Sequence, residues 1–210
     1  AHARLYVPPR FAKPGDAAHS PAVARLAAAC ARAAGGRSFV LTTTLRALGS
    51  VADALVQALA GEAEPIEVLV QGSAPKRQLM RRFLDTPRAV LVGSQSFWEG
   101  IDVLGDALQC VIIDKLPFPP PNDPLVEARV RRLETEGRSA FNDYFVAETA
   151  VSLKQGAGRL IRSETDRGLL VICDPRLVTM GYGRVLRAAL PPMPLLGTED
   201  EALDWLRRIA

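Results

Sequence analysis

Short apolar runs separated by amphipathic stretches recur along most of the chain. Residues 37–44 read Arg-Ser-Phe-Val-Leu-Thr-Thr-Thr, apolar and β-branched, and predict a strand. The strand feeds a helix of about four turns, in which Leu45, Leu48, Val51, Leu55 and Leu59 recur at helical spacing. Residues 66–70 predict the next strand, 74–84 a polar helix, 89–92 a buried strand and 108–113 another. Asp123-Pro124 caps a further helix, a long helical stretch runs from Ser139 to Gln155, and an apolar strand at 168–173 closes the series. Ahead of them all, Ser20-Pro21 reads as an N-cap and first-turn proline opening an alanine-rich helix that ends near Gly35-Gly36. This alternation predicts an α/β fold, a parallel sheet with helices on both faces.

The same pattern divides the chain into three parts. In residues 1–19, Pro8, Pro9, Pro14 and Gly15 suppress periodicity, which predicts an extended lead-in that packs on the body or links to a preceding domain. Residues 20–190 form the body. Residues 191–210 are a proline hinge and a short amphipathic helix carrying Leu203, Trp205, Leu206 and Ile209. The opening Ala1-His2-Ala3-Arg4 reads as a piece of something longer.

Ligands of such sheets sit beyond the carboxyl ends of the strands. The stretches falling there are Thr42-Thr43-Thr44, Gln71-Gly72-Ser73, residues 94–102 and Asp114-Lys115-Leu116-Pro117-Phe118, all polar or glycine-containing. Ser96-Phe97-Trp98-Glu99-Gly100-Ile101-Asp102 joins two aromatics, two carboxylates and a glycine. Its carboxylates suit ribose hydroxyls or a guanidinium, its glycine lets backbone approach a phosphate, and its aromatics are either core cover or platforms for unpaired bases. The threonine run suits phosphate oxygens but equally reflects strand propensity. Lys76, Arg77, Arg81 and Arg82 read first as a solvated helix face.

The stretch Gln155-Gly-Ala-Gly158-Arg159-Leu-Ile-Arg162 carries the sharpest signal. If it is helical, at about 100° per residue Gln155, Arg159 and Arg162 share a narrow arc, with Gly158 beside them. Two guanidiniums on one face suit a polyphosphate, since each is a permanent charge with a fork of donors. The alternative is an exposed helix end with scattered arginines.

Composition narrows the classes. With 210 residues and 48% hydrophobic content the chain builds a full core. A formal charge of only +3 confines any nucleic-acid surface to a local patch. Cys30, Cys110 and Cys173 are too few and too widely spaced for a zinc or iron–sulfur site, and their odd number argues for a reducing cytoplasm. No run reaches transmembrane length, so no membrane is expected. None of Lys13, Lys76, Lys115 and Lys154 follows a glycine, so the phosphate loop G-x-x-x-x-G-K-[ST] is missing. Asp200-Glu201-Ala202 imitates an acidic metal motif but opens a helix, where carboxylates suit the dipole.

Taken together, these residues resemble the second motor domain of superfamily 2 helicases, in particular the DinG/XPD branch and its bacterial DinG-like members, over nearly the whole chain from about Leu5. The resemblance rests on Gln155-x-x-Gly158-Arg159-x-x-Arg162 as motif VI, Trp98-Glu99-Gly100-Ile101-Asp102 as motif V, Thr42-Thr43-Thr44 at motif IV, and the spacer Lys115-Leu116-Pro117-Phe118 with Asn122-Asp123-Pro124. It implies a RecA-like fold in an ATP-dependent DNA helicase of 5′ to 3′ polarity, a cytoplasmic protein of DNA repair. ATP and Mg²⁺ would be held mainly by a separate N-terminal motor domain of the same parent chain. Arg159 and Arg162 would reach across as arginine fingers, with Gln155 and Gly158 maintaining their geometry, and Glu99, Gly100 and Asp102 would contact the nucleotide. Thr42, Thr43, Ser94, Phe97 and Trp98 would touch single-stranded DNA. No metal site is expected in this chain, and an iron–sulfur cluster would belong to the parent. The fragment is expected to be monomeric and inactive alone. The alternative function is a non-catalytic nucleic-acid-binding or regulatory module with the same fold.

Overall fold

The structure is a computed structural model that describes residues 2–94, 97, 107–161 and 166–210. Its centre is a seven-stranded, all-parallel sheet. The strands are β1 (Ala3–Tyr6), β2 (Ser38–Thr42), β3 (Glu67–Val70), β4 (Ala89–Ser94), β5 (Cys110–Ile113), β6 (Gly168–Ile172) and β7 (Leu195–Leu196), in the spatial order β3-β4-β2-β5-β6-β1-β7. β2, β4, β5 and β6 are buried along their whole length, as strands covered on both faces must be, which is why they read as continuous apolar runs.

Alternate residues feed two cores. Val40, Val92, Ile112 and Val171 point to the face covered by α1 (His19–Ala33), α2 (Leu45–Ala58) and, near the chain end, α8 (Glu199–Ile209). Phe39, Leu41, Leu91, Ile113 and Ile172 point to the other core. That core also receives Leu79 and Phe83 of α3 (Lys76–Asp85), Leu153 of α5 (Ala147–Ala157), Leu177 of α6 (Arg176–Thr179) and Leu186 of α7 (Gly183–Ala189). Between β5 and β6 the chain also forms α4 (Pro124–Thr135), capped by the Asp123 carboxylate as expected. The long helical stretch starts as a π-helical turn, Phe141–Val146, before becoming α5.

α1 ends where the two glycines stand. Gly36 N donates to Ala31 O at 2.7 Å and Gly35 N to Arg32 O at 3.3 Å, a Schellman closure that needs the positive φ of Gly35. Its beginning differs from expectation: the N-cap is Ala18, with no side-chain cap, and Ser20-Pro21 lie inside the first turn. The β2 strand stops at Thr42, because Thr44 turns out to accept from Ala47 N as the N-cap of α2.

The lead-in is only partly a lead-in. Ala3–Tyr6 pairs with β6 on one side and β7 on the other, and Leu5 N donates to Pro194 O at 3.0 Å. Behind the proline hinge, α8 docks on the sheet through Leu206 and a hydrogen bond from Trp205 Nε1 to Gly168 O at 3.0 Å. The three cysteines, far apart in sequence, are all buried in the core on the same side of the sheet, and burial pushes the Cys110 and Cys173 thiols well above their ordinary range.

Candidate functional site

At the carboxyl edge of the sheet, the loops after β2 and β5 are tied together by one buried carboxylate. Asp114, 1% exposed, accepts from Thr43 N at 3.0 Å and Lys115 N at 2.8 Å through Oδ1, and from the Thr43 hydroxyl at 3.4 Å through Oδ2. Burial pushes its carboxyl up to about 7, against the opposing pull of Lys115 and these donors. Its carbonyl oxygen lies 2.9 Å from His19 Nε2, and His19 Nδ1 lies 2.8 Å from Ala12 O. The segment before α1 is thereby pinned to the same edge.

One strand further along, Ser94 donates from both its N–H (2.6 Å) and its hydroxyl (2.9 Å) to Gln71 Oε1. Thr42 is buried, and its hydroxyl donates to Thr44 O at 3.2 Å. Phe97 is also buried, its ring against Gly93, where a Cβ would come within 3.1 Å, and the Lys76 ammonium lies 5.1 Å from the ring centroid. In this arrangement its ring is core cover. Of the residues expected to touch a single strand and described here, only Thr43 keeps a partly exposed position.

Asp174 and Arg176, just beyond β6, were not singled out by sequence. Arg176 grips Asp174 through Nε at 2.9 Å and a terminal nitrogen at 2.7 Å, while Asp174 Oδ2 accepts from Leu116 N at 2.9 Å. Burial alone would raise the Asp174 carboxyl, but the Arg176 fork and the Leu116 N–H together hold it below its ordinary value. The Arg176 guanidinium also lies 5.7 Å from the Phe118 ring, so the Lys115-Leu116-Pro117-Phe118 spacer is seated from both ends. The available signal was their position: Asp-Pro-Arg follows a buried strand, as Gln71 follows β3.

The Gln155 stretch lies elsewhere. α5 ends at Ala157, and residues 158–160 tighten into a turn in which Arg159 N donates to Gly156 O at 3.2 Å and Leu160 N to Ala157 O at 3.0 Å. The α-helix expected to carry Gln155 and Arg159 on one face thus ends two residues before Arg159. Gly158 takes ordinary right-handed helical angles in this turn and donates from its N–H to Lys154 O at 2.9 Å. Leu160 then packs onto Gly168, the first residue of β6, where a Cβ would meet Leu160 Cδ1 at 2.5 Å. Gln155 is exposed and Arg159 half-buried.

The sequence candidates thus fall into two groups at opposite ends of the parallel strands, about 16 Å apart along the length of β6. Gln155, Gly158 and Arg159 sit at the amino edge, and Thr42, Thr43 and Ser94 at the carboxyl edge. Trp98, Glu99, Gly100, Asp102 and Arg162 lie outside the described residues. A half-buried guanidinium on this turn is suited to an anion; the carboxyl edge presents hydroxyls, amides and cations, the chemistry of a phosphate backbone. Among the described residues no group of three or more His, Cys, Asp or Glu side chains is placed to hold a metal ion, and no helix is long and apolar enough to cross a membrane.

The helicase C-terminal domain family matches residues 27–193. The chain is 41% identical over 186 residues to the ATP-dependent DNA helicase YoaA of Escherichia coli strain K12, covering 89% of this chain and 28% of that protein. It is 36% identical over 207 residues to the ATP-dependent helicase DinG of Mycobacterium tuberculosis, covering 98% and 30%. It therefore spans less than a third of the length of these relatives. In fold it is similar to the solved structure of S. tokodaii Xpd4, with a TM-score of 0.65 at 16% identity over 94% of this chain and 39% of that one. With residues 27–193 matched and the YoaA and DinG relatives 41% and 36% identical, the chain belongs to the helicase C-terminal domain family, in its DinG- and YoaA-like branch.

Proposed function

We propose that this domain is the second motor domain of an ATP-dependent DNA helicase that moves 5′ to 3′ on a single strand. ATP and Mg²⁺ sit on an N-terminal motor domain of the same parent chain, which supplies the phosphate loop that this sequence lacks. Arg159, with Arg162, reaches the γ-phosphate from across the cleft and neutralises the charge that develops on the transferring oxygens; Gln155 holds the approach. Glu99, Gly100 and Asp102 contact the nucleotide, and Thr43 contacts the DNA. Closing and opening of the cleft on each hydrolysis moves the strand. The observation that supports this reading is the seat of Arg159: a half-buried position on the turn that follows α5, held by Arg159 N to Gly156 O and Leu160 N to Ala157 O, with Leu160 packed onto Gly168.

The test is single-strand-stimulated ATP hydrolysis by the full-length parent, wild type against Arg159→Ala at matched stability. A fall in turnover of about 10³ with ATP binding retained is expected. Unchanged turnover removes the finger and favours the second reading, a non-catalytic nucleic-acid-binding module. The 210-residue chain alone is expected to hydrolyse no ATP.

A further inference from the structure

The segment from Pro8 to Ala18, expected to be a lead-in, walls two open cavities at the carboxyl edge of the sheet. On one side lies a cavity of about 580 Å³ with Pro9, Phe11, Pro14 and Pro175 among its walls and Arg10 and Lys13 on its lining. On the other lies one of about 510 Å³ between the starts of α1 and α2, lined in part by Asp16, Ser20, Arg46, Lys115 and Asp114. The segment is held between them by His19, whose ring meets Phe11 edge-on at 5.7 Å and contacts the Ala12 and Asp114 carbonyl oxygens.

The charges lining these cavities are poorly compensated. The side chains of Arg10, Lys13, Arg46 and Lys115 make no hydrogen bond or ion pair within the protein among the described residues. Arg32 and Arg131, on outer helices, are by contrast taken up by Glu62 and Glu127. The acidic groups facing the four cations are Asp16 and the buried Asp114, Asp174 being already gripped by Arg176. Neither α1 nor α2 has an acidic residue in its first turn, so both helix dipoles add to the positive field of the second cavity.

We propose that this segment is part of the single-strand track: a single-stranded nucleic acid crosses it, with phosphates at Arg10 and Lys13 on one side and at Arg46 and Lys115 on the other. The first cavity, with its proline and Phe11 walls, takes an unpaired base against an apolar surface. A row of separated cations on either side of one loop fits an extended polyanion, and the apolar wall suits exposed bases, which a duplex does not offer. This deepens the nucleic-acid reading above and rests on it. It assigns recognition to Arg10, Lys13 and Arg46, which lie outside the motifs of the sequence, and to Lys115 at the start of the spacer.

The experiment measures binding of a fluorescent oligothymidylate to the 210-residue chain as a function of salt. Each lost phosphate contact lowers the slope of log K against log salt by about 0.7 for single strands, so Arg10→Gln/Lys13→Gln and Arg46→Gln/Lys115→Gln should each flatten it by about 1.4. Arg131→Gln/Arg132→Gln, the same charge change on the exposed face of α4, should leave it unchanged. All six substitutions remove one charge and keep the side-chain stem as far as Cδ, and urea midpoints check that each variant is folded. If the wild type binds and both cavity variants keep the slope of the control, the track does not cross this segment and the inference is wrong. If the wild type does not bind at all, the nucleic-acid reading itself fails.

Discussion

Asp114→Asn separates the charge of this buried carboxyl from its shape. Asn Oδ1 still accepts from Thr43 N and Lys115 N, and its amide faces the Thr43 hydroxyl where Oδ2 stood. In the wild type, burial raises the folded carboxyl to about 7 from an ordinary 3.8. Below the lower value both folded and unfolded chains are protonated, and the contribution is fully present. Between the two values the unfolded chain has lost a proton that the folded chain keeps. Stability therefore falls as pH rises, by up to 1.36 kcal/mol per unit, and levels off above about pH 7. The full span is worth about 4 kcal/mol, and the part between about pH 5 and pH 7 about 2 kcal/mol. Urea unfolding of both proteins at several pH values across that range isolates the effect, because other titrating groups cancel in the difference. The wild type should lose about 2 kcal/mol relative to the variant between those pH values. A difference that stays constant would mean that Asp114 is already ionised at the acid end, and that its donors outweigh its burial.

Asp174→Ala strips the Leu116 N–H of its acceptor and frees Arg176, and should cost about 3 kcal/mol in urea unfolding. Asp174→Asn, which can still accept from Leu116 N, should cost clearly less, and equal losses would show that this bond contributes little. Gly183→Ala would drive a Cβ into the Leu177 carbonyl oxygen and to within 2.6 Å of its carbon, parting α7 from α6; a loss of about 3 kcal/mol or more is expected, and one below about 1 kcal/mol would mean that the two helices slide apart freely.

What the sequence determined by itself was everything carried by local repetition. The buried strands β2, β4, β5 and β6 are continuous apolar runs, and the helices between them have periodic faces, so parallel packing and the chemical character of the carboxyl edge could be read before any coordinates. The Asp123 cap and the glycine closure of α1 were legible for the same reason, since each is decided within a few residues. The resemblance of the Gln155 and Trp98 stretches to helicase motifs was also legible, because it depends on residue order alone.

Only the tertiary structure decided what depends on distant partners. β1 and β7, of four and two residues, are too short to show a period and exist because β6 and each other supply their hydrogen bonds. Asp114 acquires its role from Thr43, 71 residues away, and Asp174 from Leu116, 58 residues away. Phe97 is covered because Gly93 leaves room for its ring, and α5 gives way to a tighter turn after Ala157, where Leu160 packs onto Gly168. The separation of Arg159 from Thr43 at opposite edges follows from the direction of the strands, which no side chain encodes on its own. Burial, pairing and facing are properties of several segments at once, and they exist only when the sheet has closed.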